Sequence, residues 1–215
     1  MKKRKPTRKR KALRNCIILL VLLVIANQTF LYLFPWQVRQ RSQNLYETGE
    51  THVIWQELKM ENRHLNYFAV SENENAVLFT HTWLTLEGWV GGSALLDCTA
   101  DPGPWHVMEN GWELDDGQYR YILFGRIDDP AAQTVTALVG FTERIDDPYH
   151  WAPADGAKTL TAGRGEWLTQ NGRKYVLLQT ELPMPGSWDR VGTMSRVTLF
   201  DKDGRIIDTV YDPYG

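Results

Sequence analysis

The chain has 215 residues and a formal net charge of −2 at pH 7, with 24 basic and 26 acidic residues. Nine of the basic residues lie in the first 14 positions, which leaves 15 basic against 26 acidic residues and about −11 for the rest. An acidic surface of this kind disfavours nucleic acid, so we expect no nucleic-acid partner. The length after residue 36 favours one domain rather than two.

Residues 1–15 form a basic segment without an acid, and an apolar run follows over residues 16–36. As a helix this run would be roughly 31 Å long, which matches a hydrocarbon core of about 30 Å. Positive charge marks the cytoplasmic side of a membrane segment. The sequence therefore predicts a single transmembrane helix in the cell membrane, with the N-terminus cytoplasmic and the C-terminal domain extracytoplasmic. The residues predicted to anchor the chain in the lipid bilayer are Ile17, Leu20, Val24, Phe30 and Trp36.

A cleaved signal peptide is the alternative interpretation of this segment. Residues 17–25 have the length of an apolar signal core, and residues 24–26 are small or β-branched at the position where cleavage would occur. Cleavage after Ala26 would release a secreted β domain. Because apolar residues resume over residues 29–34, which a mature N-terminus would not need, we expect an uncleaved anchor.

The next segment, residues 37–66, is polar and rich in Gln, Asn, Arg and Glu. Its first part could prolong the anchor helix, and residues 51–60 have only a short apolar side. We interpret residues 37–66 as a polar stalk, helical in part, that joins the anchor to the domain.

Residues 67–215 carry the signals of β-structure, and residues 134–142 alternate apolar and polar side chains with a period of two. Residues 201–204 and Asn171-Gly172 stand between apolar runs and favour hairpin turns, because Asn, Asp and Gly tolerate positive φ. About seven or eight short strands predict a mainly β fold, an antiparallel β-sandwich or small barrel. The predicted strands cover residues 77–86, 118–127, 134–142, 158–168, 173–181, 195–200 and 205–211.

An acidic motif, Arg-Ile-Asp-Asp-Pro, occurs at residues 126–130 and again at residues 144–148. We interpret it as turn chemistry at two strand ends, since Asp before Pro favours an extended or turn backbone. If the two turns met, their carboxylates could bind Ca²⁺. We otherwise expect no cofactor. The candidate metal ligands are Asp128, Asp129, Asp146 and Asp147.

Trp105, Trp151 and Trp188 each lie close to Pro or Gly, which places them in predicted loops. Loop aromatics on a rigid β scaffold can stack on sugars or on peptide side chains. The alternative is that they fill the core, as large aromatic residues commonly do. These three residues are the candidate ligand-binding residues.

Signatures of catalysis are scarce. The five histidines lack the spacing of metal ligands, and Ser93 lacks the following Gly of a nucleophile elbow. Cys98 is the only cysteine after the predicted anchor, so we expect a buried, inert thiol and no disulfide within the domain. The sequence favours a binding or scaffolding module of the cell envelope, with an envelope protein or a glycan as partner. The alternative is an envelope hydrolase that cleaves a glycan or peptide with acidic residues.

Overall fold

The structure, a computed structural model, describes residues 8–29, 32–99, 103–143, 156–184 and 191–212. Over these residues the fold is mainly β, with two helices and twelve strands. The helices are α1 (Arg8–Thr29) and α2 (Pro35–Leu45), and a 3₁₀ turn covers Arg164–Glu166. The strands are β1 (His52–Glu61), β2 (His64–Glu72), β3 (Ala76–Thr85), β4 (Gly88–Asp97), β5 (Trp105–Glu113), β6 (Gln118–Ile127), β7 (Ala132–Glu143), β8 (Lys158–Gly163), β9 (Leu168–Gln170), β10 (Arg173–Pro183), β11 (Val191–Asp201) and β12 (Ile206–Asp212).

The strands form three antiparallel sheets of four strands each. Sheet A has the order β1-β2-β3-β4, sheet B the order β5-β6-β10-β9, and sheet C the order β12-β11-β7-β8. The prediction of a mainly β, antiparallel fold is confirmed. The sequence did not indicate that the strands divide into three sheets.

Sheet B is the middle layer, because its strands are buried on both faces. On β6, Ile122 and Phe124 belong to the core shared with sheet A, whereas Tyr121 and Leu123 belong to the core shared with sheet C. Burial is continuous from Arg120 to Ile127, as expected for a strand without a solvent face. The apolar run at this point in the sequence therefore marks the centre of the molecule.

The outer face of sheet A is partly covered by α2. Val38 of α2 packs against Tyr67, Ala69 and Trp89 of the sheet. The helix begins at Pro35, a residue favoured at the first helical position because it needs no backbone donor there. The layers therefore follow the order α2, sheet A, sheet B and sheet C.

Residues 37–66, predicted as a polar stalk, are part of the domain. Most of α2 lies in this range, and β1 is the edge strand of sheet A. The polar side chains are used internally, since Gln43 Nε2 donates to Thr51 Oγ1 at 2.5 Å and Thr51 Oγ1 donates to Ser71 Oγ at 2.9 Å. An edge strand with one partly solvated face has the polarity of a linker, which is why this segment was predicted to be a stalk.

The predicted transmembrane helix over residues 16–36 is not one continuous helix. α1 ends at Thr29, and Trp36 belongs to α2. Between the two helices, the carbonyl of Tyr32 accepts a hydrogen bond from the backbone N–H of Trp89 at 2.8 Å, which holds the chain at this residue against β4. Among the helices of the described residues, none has the combination of length and apolar character needed to cross a membrane.

Both predicted hairpin turns are confirmed. Gly204 ends the turn between β11 and β12 with φ of 75°. Asn171 and Gly172 join β9 to β10 with φ of 50° and 78°, the left-handed region that Asn and Gly tolerate.

Candidate functional site

Trp105 is a core residue, which corrects its prediction as a ligand-binding aromatic. Its ring is only 5% exposed and lies in the core between sheets B and C. The indole N–H donates to Asp208 Oδ2 at 2.9 Å, so the polar edge is also occupied. Trp151 and Trp188 lie outside the described residues and stay predictions of the sequence.

The first acidic turn uses its carboxylates internally. Arg126 Nε donates to Asp128 at 2.9 Å, and Asp129 Oδ1 accepts the N–H of Ala131 at 2.7 Å. This copy of the motif is therefore turn chemistry, as interpreted from the sequence. The second copy, with Asp146 and Asp147, lies outside the described residues. Within the part of the chain that the structure describes, no group of three or more His, Cys, Asp or Glu could hold a metal ion.

The predicted anchor residues are in three different places. Ile17, Leu20 and Val24 lie on α1 and are exposed, whereas Phe30 lies outside the described residues. Trp36 lies in the first turn of α2, where its exposed ring stacks on Phe34 at a centroid distance of 6.1 Å. Along α1, the six consecutive apolar side chains of residues 17–22 are each 48–64% exposed.

Cys98 is buried in the core between sheets A and B, as the sequence predicted. Burial raises the pKa of this thiol to about 11, and the nearby Arg126 guanidinium only partly opposes that shift. The thiol is therefore protonated at neutral pH and is a poor nucleophile.

A groove of about 550 Å³ opens between sheets A and B. We name it the β4–β5 groove; His81 and Trp83 of β3, residues 91–94 of β4 and Asn110 of β5 line it. Its floor is bare backbone at Gly92, where a Cβ would meet no atom within 4 Å. A Cβ on Gly91 would collide with the carbonyl of His81, so β3 and β4 can approach here only because this residue is glycine.

Aromatic rings fix the inner wall of the groove. His81 stacks on Phe68 at 4.7 Å and lies against Trp112 at 4.3 Å between ring centroids. Its ring also contacts Trp83 at 5.5 Å. Trp83 is only partly buried and belongs to neither large core, which leaves its indole available at the mouth of the groove.

His81 is held as a neutral imidazole. Asn66 Nδ2 donates to the carbonyls of Glu61 and His64 at 2.8 and 2.9 Å, which turns its Oδ1 toward His81 Nε2 at 2.9 Å. This network assigns the proton to Nε2. Burial lowers the pKa of His81 to about 4, although the charge of Glu61 acts in the opposite direction. Nδ1 is thus a hydrogen-bond acceptor, and none of the described residues donates to it.

This histidine makes stability depend on pH. A base with a lowered folded-state pKa binds fewer protons when folded, so its contribution is complete above pH 6.5 and is lost as the pH falls from 6.5 to about 4. We expect a loss of about 2 kcal/mol over this range after allowing for solvent screening. Thermal unfolding of wild type and His81→Gln at several pH values tests this. An equal acid slope in the two proteins would contradict it.

The outer face of sheet C has a row of threonines, one from each strand. Thr209, Thr198, Thr136 and Thr161 are consecutive partners across β12, β11, β7 and β8. Cross-strand threonine pairs stabilise sheets through their methyl and hydroxyl groups. We therefore interpret the row as a feature of sheet stability.

Comparisons with protein-family models, with curated proteins and with solved structures return no match for this chain. The β4–β5 groove is therefore interpreted from its own residues. Its residues carry no motif that would predict a groove from the sequence. The one local signal was Gly91-Gly92, because adjacent glycines in a strand indicate a close backbone approach or an open floor.

Proposed function

We propose that this protein is a membrane-tethered binding module of the cell envelope, anchored by α1, with its β domain outside the cytoplasmic membrane. The observation that supports it best is the exposure of six consecutive apolar side chains on α1. Six consecutive residues cover the whole circumference of a helix. An amphipathic stripe can be buried against one protein surface, whereas a helix that is apolar all round requires an apolar environment on every side. The lipid bilayer supplies that environment.

The basic residues at the start of α1 support the proposed orientation, with the N-terminus in the cytoplasm. The first turns of α1 carry Arg8, Lys9, Lys11 and Arg14, and basic residues are retained on the cytoplasmic side, where the leaflet is anionic. Residues 15–29 are uncharged and extend about 22 Å as a helix, which is less than a hydrocarbon core of about 30 Å. Snorkelling of Arg14 and local bilayer thinning are the usual ways in which a short segment is accommodated.

A charged residue introduced in the middle of α1 tests whether this helix anchors the protein in the membrane. Leu20→Arg is expected to move most of the full-length protein into the alkaline carbonate extract, because a central Arg strongly opposes insertion. The matched control is Ile206→Arg, an exposed apolar residue on β12, which should stay with the membrane. If wild type is extracted as readily as Leu20→Arg, the anchor is contradicted. A mature protein that begins after Ala26 would instead support the secreted alternative, and protection of the domain from protease on intact cells would contradict the orientation.

For the ligand we propose a neutral glycan segment bound in the β4–β5 groove. The described residues that line the groove are uncharged, which favours a neutral partner over an ionic one. The indole of Trp83 offers a face for a sugar ring, and Asn110 and His81 Nδ1 offer hydrogen-bonding groups beside it. With no carboxylate in its lining, the groove gives no support to a hydrolase with two acidic catalytic residues.

Removal of the indole tests the ligand proposal. Trp83→Ala is expected to weaken retention of the detergent-solubilised protein on insoluble envelope glycan about two- to tenfold, because a stacked ring contributes about 0.5–1.5 kcal/mol. Trp36→Ala is the matched control, since this exposed tryptophan lies on α2 outside the groove. Both variants should melt close to wild type. Retention of Trp83→Ala at the wild-type level would exclude the groove as the glycan site.

A further inference from the structure

Sheet A has an apolar rim at the end nearest to the connection between α1 and α2. We define the rim as Met60, Leu84 and Leu86, whose side chains are 65%, 40% and 108% exposed. Met60 is paired with Leu65 on β2, and Leu84 is paired with Trp89 on β4. Leu86 lies in the two-residue turn between β3 and β4. Large apolar side chains grouped in this way on a surface mark an interaction site.

Tyr32, the first described residue after α1, is held beside this rim. Tyr32 O accepts the N–H of Trp89 at 2.8 Å, and a Cβ on Gly88 would lie 2.7 Å from the same oxygen. The guanidinium of Arg41 lies 5.8 Å from the centre of the Tyr32 ring and packs over its face. Tyr32 is therefore held directly against the strand that follows the turn of Leu86.

Chain length limits how far the rim can be from the end of α1. Tyr32 follows Thr29 by three residues, and three residues of extended chain span at most about 11 Å. The headgroup layer on each side of a bilayer is about 5–8 Å thick. If α1 lies in the bilayer, a domain docked at Tyr32 has its rim at the level of the headgroups or just above them.

We propose that the rim contacts the outer leaflet, so that the β domain is seated on the membrane at this end of sheet A. This inference rests on the proposed anchoring by α1. Two exposed aromatic residues, Phe34 and Trp36, lie at the start of α2, two and four residues after Tyr32, and such rings favour the headgroup layer. In the neighbouring turns Arg63 is paired with Asp115 at 3.5 Å, and the remaining charges, Glu87 and Asp116, are acidic. Apolar contact rather than charge therefore holds the domain to the lipid.

Contact between the rim and the lipid determines how far the β4–β5 groove lies from the membrane surface. Strands advance about 3.3 Å per residue, and residues 91–94 follow Gly88 by three to six positions along β4. The β4–β5 groove then lies roughly 10–20 Å from the rim. Its ligand is thus a molecule of the layer next to the outer leaflet, rather than one further from the membrane.

Fluorescent labels on the full-length protein test the seating. Single cysteines replace Leu86 in the rim, Ile17 in α1 and Lys202 in the exposed turn of sheet C, in a Cys16→Ser background. Each is labelled with an environment-sensitive dye in phosphatidylcholine vesicles that carry a headgroup-level or an acyl-chain quencher. The Cys16→Ser parent measures any labelling of the buried Cys98. Because Leu86 and Lys202 are exposed turn residues, their substitution leaves the core intact.

The Leu86 dye is expected to shift to the blue and to lose emission with the headgroup-level quencher, while the Lys202 dye changes neither. The dye at position 17 is expected to lose emission with the acyl-chain quencher if α1 lies in the bilayer. If Ile17 is quenched and Leu86 behaves like Lys202, the seating is overturned and the anchor stands. If neither Ile17 nor Leu86 is quenched, both proposals are overturned. Quenching of Leu86 without Ile17 supports the seating and overturns the anchor.

Discussion

Replacing Arg120 by methionine is expected to lower the free energy of unfolding by about 3–5 kcal/mol, the usual range for breaking a buried ion pair. Arg120 lies on β6 and is buried beneath sheet A. One of its terminal nitrogens donates to Glu61 and to Glu181, with both distances at 2.6 Å. This guanidinium therefore joins β1 of sheet A to β6 and β10 of sheet B.

The loss is large because the variant leaves a carboxylate without its partner in a place that water barely reaches. Glu61 is 6% exposed at its side chain, whereas Glu181 is 45% exposed and can be solvated. Lys59 remains 2.8 Å from Glu61 and compensates for part of the charge. The main cost is thus the part of the Glu61 charge that Lys59 does not compensate, rather than the lost contact itself.

Chemical denaturation followed by tryptophan fluorescence measures this effect. The matched control is Arg63→Met, which removes an exposed pair with Asp115 at 3.5 Å and should cost less than about 1 kcal/mol. A second change, Glu61→Gln, should restore part of the stability of Arg120→Met because it removes the stranded charge. Equal losses for Arg120→Met and Arg63→Met would show that the ion pair does not hold the two sheets together.

Local patterns predicted the strands that have clear alternation or clear turns. β6 has the predicted bounds, Gln118–Ile127, because its apolar run is ended by a turn on each side. The hairpin of β11 and β12 was predicted by the Asp and Gly residues of its turn. These features depend on a few neighbouring residues, so a single sequence is sufficient to locate them.

The strands β4 and β5 were not predicted because they contain glycines, which allow neighbouring chains to pack closely but have low strand propensity. β4 contains Gly91, where a Cβ would collide with the carbonyl of His81, and β5 contains Gly111, where a Cβ would collide with the ring of Tyr119. Glycine lowers the strand signal. Only the neighbouring strand explains why it is needed at these places.

The groove and the third sheet could not be predicted from local patterns. His81 on β3 and Asn110 on β5 meet because sheet A packs against sheet B, and neither residue carries a motif. In the same way, β6 pairs with β10 rather than with the next strand in the chain. Long-range pairing is decided by which faces are buried together, and alternation within one strand does not identify the partner.

The change Tyr175→Phe is expected to lower the free energy of unfolding by about 2–4 kcal/mol, since it removes a hydrogen bond to a buried charged group. Glu72 of β2 is 0% exposed, and the hydroxyl of Tyr175 on β10 donates to it at 2.7 Å. Arg173 is 3.7 Å away and Asn171 donates to the other oxygen at 3.4 Å, so neither is as close as the phenol. This bridge joins sheets A and B at the end opposite to Arg120.

The same hydrogen bond should make the stability of the protein depend on pH in the alkaline range. Burial raises the pKa of Tyr175, and its hydrogen bond to Glu72 raises it further. For an acid with a raised folded-state pKa, the stabilisation is complete below pH 10, the ordinary value, and is lost as the pH rises through the folded-state pKa. Wild type should therefore lose stability above pH 10 more steeply than Tyr175→Phe, as measured by thermal unfolding.

Tyr46→Phe is the matched control, because this hydroxyl also donates at 2.8 Å, to the carbonyl of Ser93, from an exposed residue. It should cost less than about 1 kcal/mol, since water can replace the lost donor. If Tyr175→Phe and Tyr46→Phe cost the same, the remaining neighbours of Glu72 satisfy its carboxylate. The aromatic core around Phe79 and Phe124 would then suffice to hold sheets A and B together at that end.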